Sequence, residues 1–207
     1  MSNLKNVVKL SDIAEIRTGF TFREKVEELQ TGNAHIVQIK DVRSLRDQTY
    51  SQSLYSDDLP RINMPAKINA PLNIGSVLLP SRGEYYRAFY FLGRRDKSLD
   101  LPVIASSQFL ILLPKTEELL PEYLCWYLNQ PTTQHELSNK SQGSNISMLT
   151  VVKVSSLEIE LPSLEKQKQI IQLNYIWEQE QALTQKLLQN REQMMRGMFQ
   201  QLLKGNK

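Results

Sequence analysis

The chain has 207 residues, which suits one domain or one domain with an appendage. With 41% hydrophobic residues and a mean hydropathy of −0.39 it can bury a sizeable core, and no run approaches the roughly 18 to 20 continuous apolar residues that a membrane span requires. The net charge of +3, from 25 basic and 22 acidic residues, is common among ordinary enzymes and selects no partner.

Met1–Leu10 shows no apolar stretch before a small-residue cleavage site, so no secretion signal is expected. Leu10–Ile16 reads as a short amphipathic turn of helix with Ser11 or Asp12 as cap. His35–Ile39 is a strand candidate ending at Lys40-Asp41. Ser76–Pro80 follows the turn signal Asn73-Ile74-Gly75 and reads as a strand. Tyr86–Leu92 is another, closed by Gly93. Val103–Leu113 is apolar but carries Ala105-Ser106-Ser107, so a bent or interrupted strand is expected. Pro121 opens a helix over Glu122–Asn129, where its missing N–H costs little, and Pro131 ends it. The one cysteine, Cys125, lies between Leu124 and Trp126 and is expected as a buried, reduced thiol in a cytoplasmic protein. A second short helix is expected over Thr132–Asn139, then a loop over Ser141–Ser147. Val151–Val154 and Leu157–Leu161 read as final strands.

After Pro162 the composition changes. Ser163 is a good N-cap, Glu165 sits in the first turn, and no proline follows to about Leu203. Roughly 40 helical residues would span about 60 Å. A narrow apolar stripe recurs at Ile170, Leu173, Ile176 or Trp177, Leu183, Leu187, Met194, Met198 and Leu202, and is weakest at Glu178–Gln181. A long helix with one such stripe wants a partner helix. The competing arrangement is two shorter helices folded back on the domain, hinged near Glu178–Gln181 or Gln189-Asn190. The fold class is therefore α+β: a globular domain over 1–160 with a mixed or antiparallel sheet and short helices, then a coiled-coil-like helix over 163–203.

Local charge is more informative than net charge. From Arg61 to Lys97 there are seven basic residues against two acids, Glu84 and Asp96. Tyr85, Tyr86, Phe89, Tyr90 and Phe91 fall in the same span. Basic residues interleaved with aromatics suit phosphate contact plus base contact; a strand with a solvated basic face has the same composition. Catalytic signatures are missing. With His35, His135 and Cys125 there is no zinc-ligand spacing. The eight glycines form no phosphate cradle. There is no G-x-S-x-G elbow and no Pro-Pro pair of the kind an amino-methylating loop needs. The acid pairs Glu27-Glu28, Asp57-Asp58 and Glu117-Glu118 flank turns, where acids are ordinarily solvated.

The order of short motifs is more specific. Lys9–Gly19 (KLSDIAEIRTG), Ile36–Val42 (IVQIKDV), Leu72–Gly83 (LNIGSVLLPSRG), Ala105–Leu113 (ASSQFLILL), Pro121–Asn129 (PEYLCWYLN), Ser141–Ser147 (SQGSNIS) and Leu157–Gln169 (LEIELPSLEKQKQ) follow one another over nearly the whole chain. In this order the chain resembles the specificity subunits of type I restriction–modification systems. Gly75-Ser76 departs from the family's usual Gly-Asp and removes one expected carboxylate. The resemblance implies a target recognition domain that docks on double-stranded DNA, and a long helix. Family members usually carry two of each, the helices antiparallel; this sequence has one of each and looks like a half-length form.

By the same resemblance the chain is not an enzyme. It directs an adenine methyltransferase subunit and a restriction subunit, and S-adenosylmethionine is bound by the methyltransferase rather than by this chain. The candidate DNA contacts are Lys40, Arg43, Arg82, Gly83, Tyr85, Arg87, Arg94, Arg95, Lys97, Lys140, Ser144 and Asn145. Arg82-Gly83 is the preferred pair, because glycine lets backbone approach a ligand closely. Self-pairing through Ile170, Leu173, Trp177, Leu183, Leu187, Met194, Met198 and Leu202 would make a homodimer that reads an interrupted palindrome. The rival reading is a protein-only adaptor or anti-restriction scaffold with the same fold.

Overall fold

The computed structural model describes residues 6–48, 52–64, 71–83, 86–95, 101–142 and 148–205, the side chains of 44–48 excepted. The elements run β1 (Val7–Lys9), α1 (Leu10–Ile13), β2 (Ala14–Thr18), β3 (Ala34–Val37), α2 (Ile39–Gln48), β4 (Ser53–Tyr55), a 3-10 turn (Ser56–Asp58), β5 (Arg61–Ile62), β6 (Val77–Pro80), β7 (Phe89–Gly93), β8 (Val103–Ala105), β9 (Phe109–Pro114), α3 (Pro121–Leu128), α4 (Pro131–Ser141), α5 (Val151–Ser155), β10 (Glu158–Glu160) and α6 (Leu164–Lys204).

The centre is a five-stranded sheet in the order β2-β9-β6-β7-β4. Its inner strands β6 and β9 are apolar on both faces because both faces are covered there. Val77, Leu79, Leu110 and Leu112 point to one side, where α1, α3, α4 and α5 deliver Leu10, Leu124, Leu137 and Val154. Leu78, Ile111, Phe89 and Phe91 point to the other, against Val37, Val103 and Ala105 of a three-stranded sheet ordered β5-β3-β8. The third pairing, β1 with β10, ties the start of the chain to the segment just before α6.

Several expectations are corrected. The apolar run Val103–Leu113 is two strands in different sheets, parted by a turn at Ser106–Gln108. Leu10–Ile16 is helical only to Ile13, since Ala14 already pairs with Pro114. Val151–Val154 is helix, not strand: the Thr150 hydroxyl accepts the Lys153 N–H and overrides the β preference of the valines. Lys40 and Arg43 lie on α2, whose start is fixed by the Asp41 carboxylate accepting the Gln38 N–H at 2.8 Å. Regular pairing of the Tyr86–Leu92 segment begins only at Phe89.

Helix α6 is one helix of 41 residues, about 60 Å long, and Ser163 caps it by accepting the Lys166 N–H. Its first turns dock on the domain through one face: Gln167, Ile170, Ile171, Asn174, Glu178 and Gln181 are the covered positions, and everything from Ala182 on is exposed. Gln167 is 0% exposed. Its amide oxygen accepts the Leu120 N–H at 2.9 Å, and its amide nitrogen donates to the carbonyls of Glu118 at 2.7 Å and Pro162 at 2.9 Å. Glu178 accepts from the Asn174 side chain at 2.9 Å. Burial pushes the Glu178 carboxyl above its ordinary value, with Asn174 and the Arg87 charge pulling the other way.

Gln167→Leu removes the side-chain partner of three partly buried backbone groups and should cost about 1–3 kcal/mol in denaturant unfolding, while the isosteric Gln167→Glu at low pH should cost less. Because the folded protein disfavours the ionised form of Glu178, Glu178→Gln should gain stability over the parent as pH rises through the acid range. At pH values where the carboxyl is protonated in both states the two should match. A gap that does not change with pH would contradict this.

Candidate nucleic-acid interface

Strand direction sorts the candidate cations between two ends of the domain. The C-terminal ends of β2, β3, β6 and β8 and the start of β9 share one end, since Thr18 pairs with Leu110, Pro80 with Phe109, and Val37 with Ala105. Gln108 knits this end together. Its carbonyl accepts from both the N–H (2.8 Å) and the hydroxyl (2.9 Å) of Ser81, and its side-chain oxygen accepts the Ile39 N–H at 3.4 Å. Gly19 is required here: a Cβ on it would stand 2.1 Å from the Ser106 carbonyl oxygen. Phe20, next along, is bridged to Ser106, partly exposed, and edge-on to Phe22 with ring centres 4.9 Å apart.

Arg82 and Gly83 project from this end. Arg82 is bridged to Met148 through the backbone, and its Nε lies 3.2 Å from the Met148 sulfur. Among the described residues its guanidinium meets no carboxylate. Gly83 has φ +121°, a conformation that suits glycine, with nothing within 4 Å of a notional Cβ. Arg43 is exposed on α2. Lys40, one turn before it, pairs with Glu28, and that hydrogen bond raises its pKa.

The segment 142–148 is closed at its base. The Met148 N–H donates to the Ser141 carbonyl at 3.2 Å, and the Leu149 N–H to the Ser81 carbonyl at 2.8 Å. Lys153 supplies the closure: its ammonium donates to the carbonyls of Ser141 (3.3 Å), Gln142 (3.4 Å) and Met148 (3.3 Å). Nothing in the sequence marked Lys153, because Val151–Val154 read as a strand. Lys140 reaches the Ser156 hydroxyl at 3.2 Å and Glu136 at 3.4 Å.

The remaining cations are elsewhere. β7 runs antiparallel to β6, and the Gly75 N–H donates to Phe91, so Gly93-Arg94-Arg95 emerge at the opposite end from Arg82. Seven residues of extended chain separate Gly75 from Arg82, roughly 20 Å. Arg95 is committed there, bonded to Asp58 at 2.6 Å and stacked 4.0 Å over the Tyr55 ring. Arg94 lines a concavity with Ile74, Phe91 and Leu101. Arg87 is half-buried, 5.7 Å over the Phe89 ring, with its charge felt at Glu178 on α6. Tyr86, Phe89 and Phe91 are core residues, 2%, 2% and 4% exposed. The single basic-aromatic face read from 61–97 is therefore split. Tyr85, Lys97, Ser144 and Asn145 lie outside the described residues.

These motif pieces meet as one frame, and comparison with known proteins decides what the frame is. The model of the type I restriction modification DNA specificity domain matches residues 2–189. The chain belongs to this family. No curated protein matches it. Among solved structures, a chain from work on complex assembly and conformational transition of the type I R-M system superposes with TM-score 0.68 at 16% identity, covering 96% of this chain and 44% of that one. The HsdS subunit from Thermoanaerobacter tengcongensis gives TM-score 0.60 at 18% identity, over 91% of this chain and 40% of that one. The S subunit from M. genitalium gives 0.54 at 13%, over 89% and 42%. This chain thus spans less than half the length of those chains. Among its described residues, no helix is long and apolar enough to cross a membrane, and no group of three or more His, Cys, Asp or Glu is placed to hold a metal ion.

In this specificity domain, Lys153→Met should release the base of the 142–148 segment. The Met148 amide should exchange with solvent faster, and stability should fall by about 1 kcal/mol. Unchanged exchange at Met148 would show that Ser81 and Ser141 hold the base without the lysine.

Proposed function

We propose that the chain reads duplex DNA sequence with the end that carries Arg82, and brings a partner adenine methyltransferase and restriction subunit to that sequence. The observation that supports this most is the pairing of a guanidinium that meets no carboxylate among the described residues with an open glycine, Arg82-Gly83, on a strand end of a specificity-family frame. An arginine free of carboxylates can neutralise a phosphate or meet guanine O6 and N7. Arg43 and the exposed face of Phe20 extend the same end. Lys140 and Lys153 add positive potential beside it.

Methyl transfer from S-adenosylmethionine and DNA cleavage belong to the partner subunits in this reading. The exposed stripe of α6 pairs with a second copy, which places two identical domains in inverted orientation and makes the target an interrupted palindrome. Ile170 does not take part, because it packs on its own domain's core. Leu173, Trp177, Leu183, Leu187, Met194, Met198 and Leu202 remain open to solvent and available.

The test is to assemble the chain with its methyltransferase and map methylated sites. Arg82→Ala should weaken binding at every sequence or relax one base position, with the slope of log affinity against log salt falling by about 1 if the contact is to phosphate. Leu187→Asp should leave the domain folded, reduce the dimer in light scattering, and abolish methylation of the two-part site. A complex with no sequence preference at any salt concentration would end the reading.

A further inference from the structure

Among the described residues, the exposed aromatic rings of this chain are Tyr175, Trp177 and Phe199 on α6 and one ring on the domain itself, Phe20, 38% exposed. Single exposed apolar residues are ordinary. This one differs in how firmly it is held. The Phe20 N–H donates to the Ala105 carbonyl at 2.7 Å, and its own carbonyl accepts the Ser107 N–H at 2.8 Å. Just before it the Gly19 N–H donates to Phe109 at 3.0 Å, and Gly19 has no room for a Cβ. Phe22 braces the ring edge-on and is itself packed against the cluster of Ile36, Ile62 and Ile104. The root and one flank of Phe20 are thus fixed while part of its surface stays open, which is how a preorganised contact is built.

Its place in the sheet brings it beside Arg82. Gly19 and Pro80 lie on either side of Phe109, two strand spacings or about 10 Å apart. Phe20 follows the first and Arg82 lies two residues beyond the second, so a duplex that meets Arg82 passes Phe20 about three base pairs further along. The segment beyond Phe20 offers phosphates no net attraction: Arg23 and Lys25 stand against Glu24, Glu27 and Glu28, and Glu28 already pairs with Lys40. A ring without a polar group needs an apolar feature of the bases, and the major groove presents one, the C5 methyl of thymine. Insertion between base pairs is the other use of an exposed ring. A wedge must stand clear of its surroundings, however, and well over half of Phe20 is covered.

We infer that Phe20 is a specificity-determining residue that reads one thymine by packing its open face on the C5 methyl group. The inference rests on the DNA reading proposed above and names a base and the side chain that selects it.

The test uses the chain assembled with its methyltransferase, and duplexes carrying the target found by methylation mapping. Each thymine is replaced in turn by deoxyuridine, which pairs identically and lacks only the methyl. One replacement, about three base pairs from the position that Arg82→Ala relaxes, should weaken binding about fourfold, the worth of one buried methyl group. With Phe20→Ala the thymine duplex should bind as weakly as that deoxyuridine duplex, and the replacement should then have no further effect. Phe20→Leu, which keeps an apolar side chain, should retain part of the discrimination. A deoxyuridine effect that persists undiminished in Phe20→Ala assigns the methyl to another side chain and overturns the inference. So does a parent complex indifferent to every replacement, or a 2-aminopurine signal of unstacking that Phe20→Ala abolishes. In each of these cases sequence preference elsewhere in the target leaves the DNA reading standing, whereas a complex with no sequence preference overturns both.

Discussion

The arrangement depends on one side chain, the buried amide of Gln167. A helix that merely leaned on the domain through Ile170 and Ile171 would be free to rock, because apolar contact is non-directional. Gln167 binds three backbone groups from two segments, Glu118–Leu120 and Pro162. Hydrogen bonds fix angle as well as distance. Two further ties lie close by. The β1–β10 ladder holds the segment that leads into α6, and the Tyr123 hydroxyl donates to the Glu160 carbonyl at 2.7 Å. The helix therefore leaves the domain in a set direction.

The same device recurs inside the domain. Asn129 accepts the Ala88 N–H at 2.8 Å and donates to the Ala88 carbonyl at 2.9 Å, and Gln134 does the same for Tyr86. Each amide imitates a neighbouring strand where none is present, so the chain before β7 stays extended without ladder partners. Asn33 clasps Met64 likewise. In all of these, a side chain of the frame holds the backbone of a connecting segment.

Much of this frame was legible in the sequence and the reading surface was not. Pro121 and Ser163 mark helix starts by local rules that tertiary contacts did not override, while Pro131, read only as the end of one helix, also opens the next. The buried strands were visible as short apolar runs such as Phe109–Pro114, though periodicity says nothing of which sheet a run joins. Val103–Leu113 therefore read as a bent or interrupted strand, with nothing to say that its two halves join different sheets. Val151–Val154 misled because valine favours strands, while a single hydroxyl at Thr150 decided for helix. The basic residues between 61 and 97 are adjacent in sequence, but β6 and β7 are antiparallel. That reversal carries Arg94 and Arg95 away from Arg82, and only the pairing reveals it. On α6 the stripe was visible, and exposure alone separated Ile170, packed on the core, from the residues left open to solvent.

Backbone-directed clasps have a functional consequence. Asn129, Gln134, Gln108 and Lys153 grip N–H and C=O groups, which every residue except proline supplies in the same form. The segments they hold can differ in side chains without loss of the grip. A reader of DNA needs that independence: base contacts depend on particular side chains at loop tips, whereas the loops' positions must be fixed for those contacts to be selective. The anchors of 142–148 illustrate the division, since Lys153 and Ser81 hold Ser141, Gln142, Met148 and Leu149 entirely through main-chain groups. Positional rigidity thus resides in the frame and in Gln167, and in the proposed reading target choice falls to side chains outside that frame.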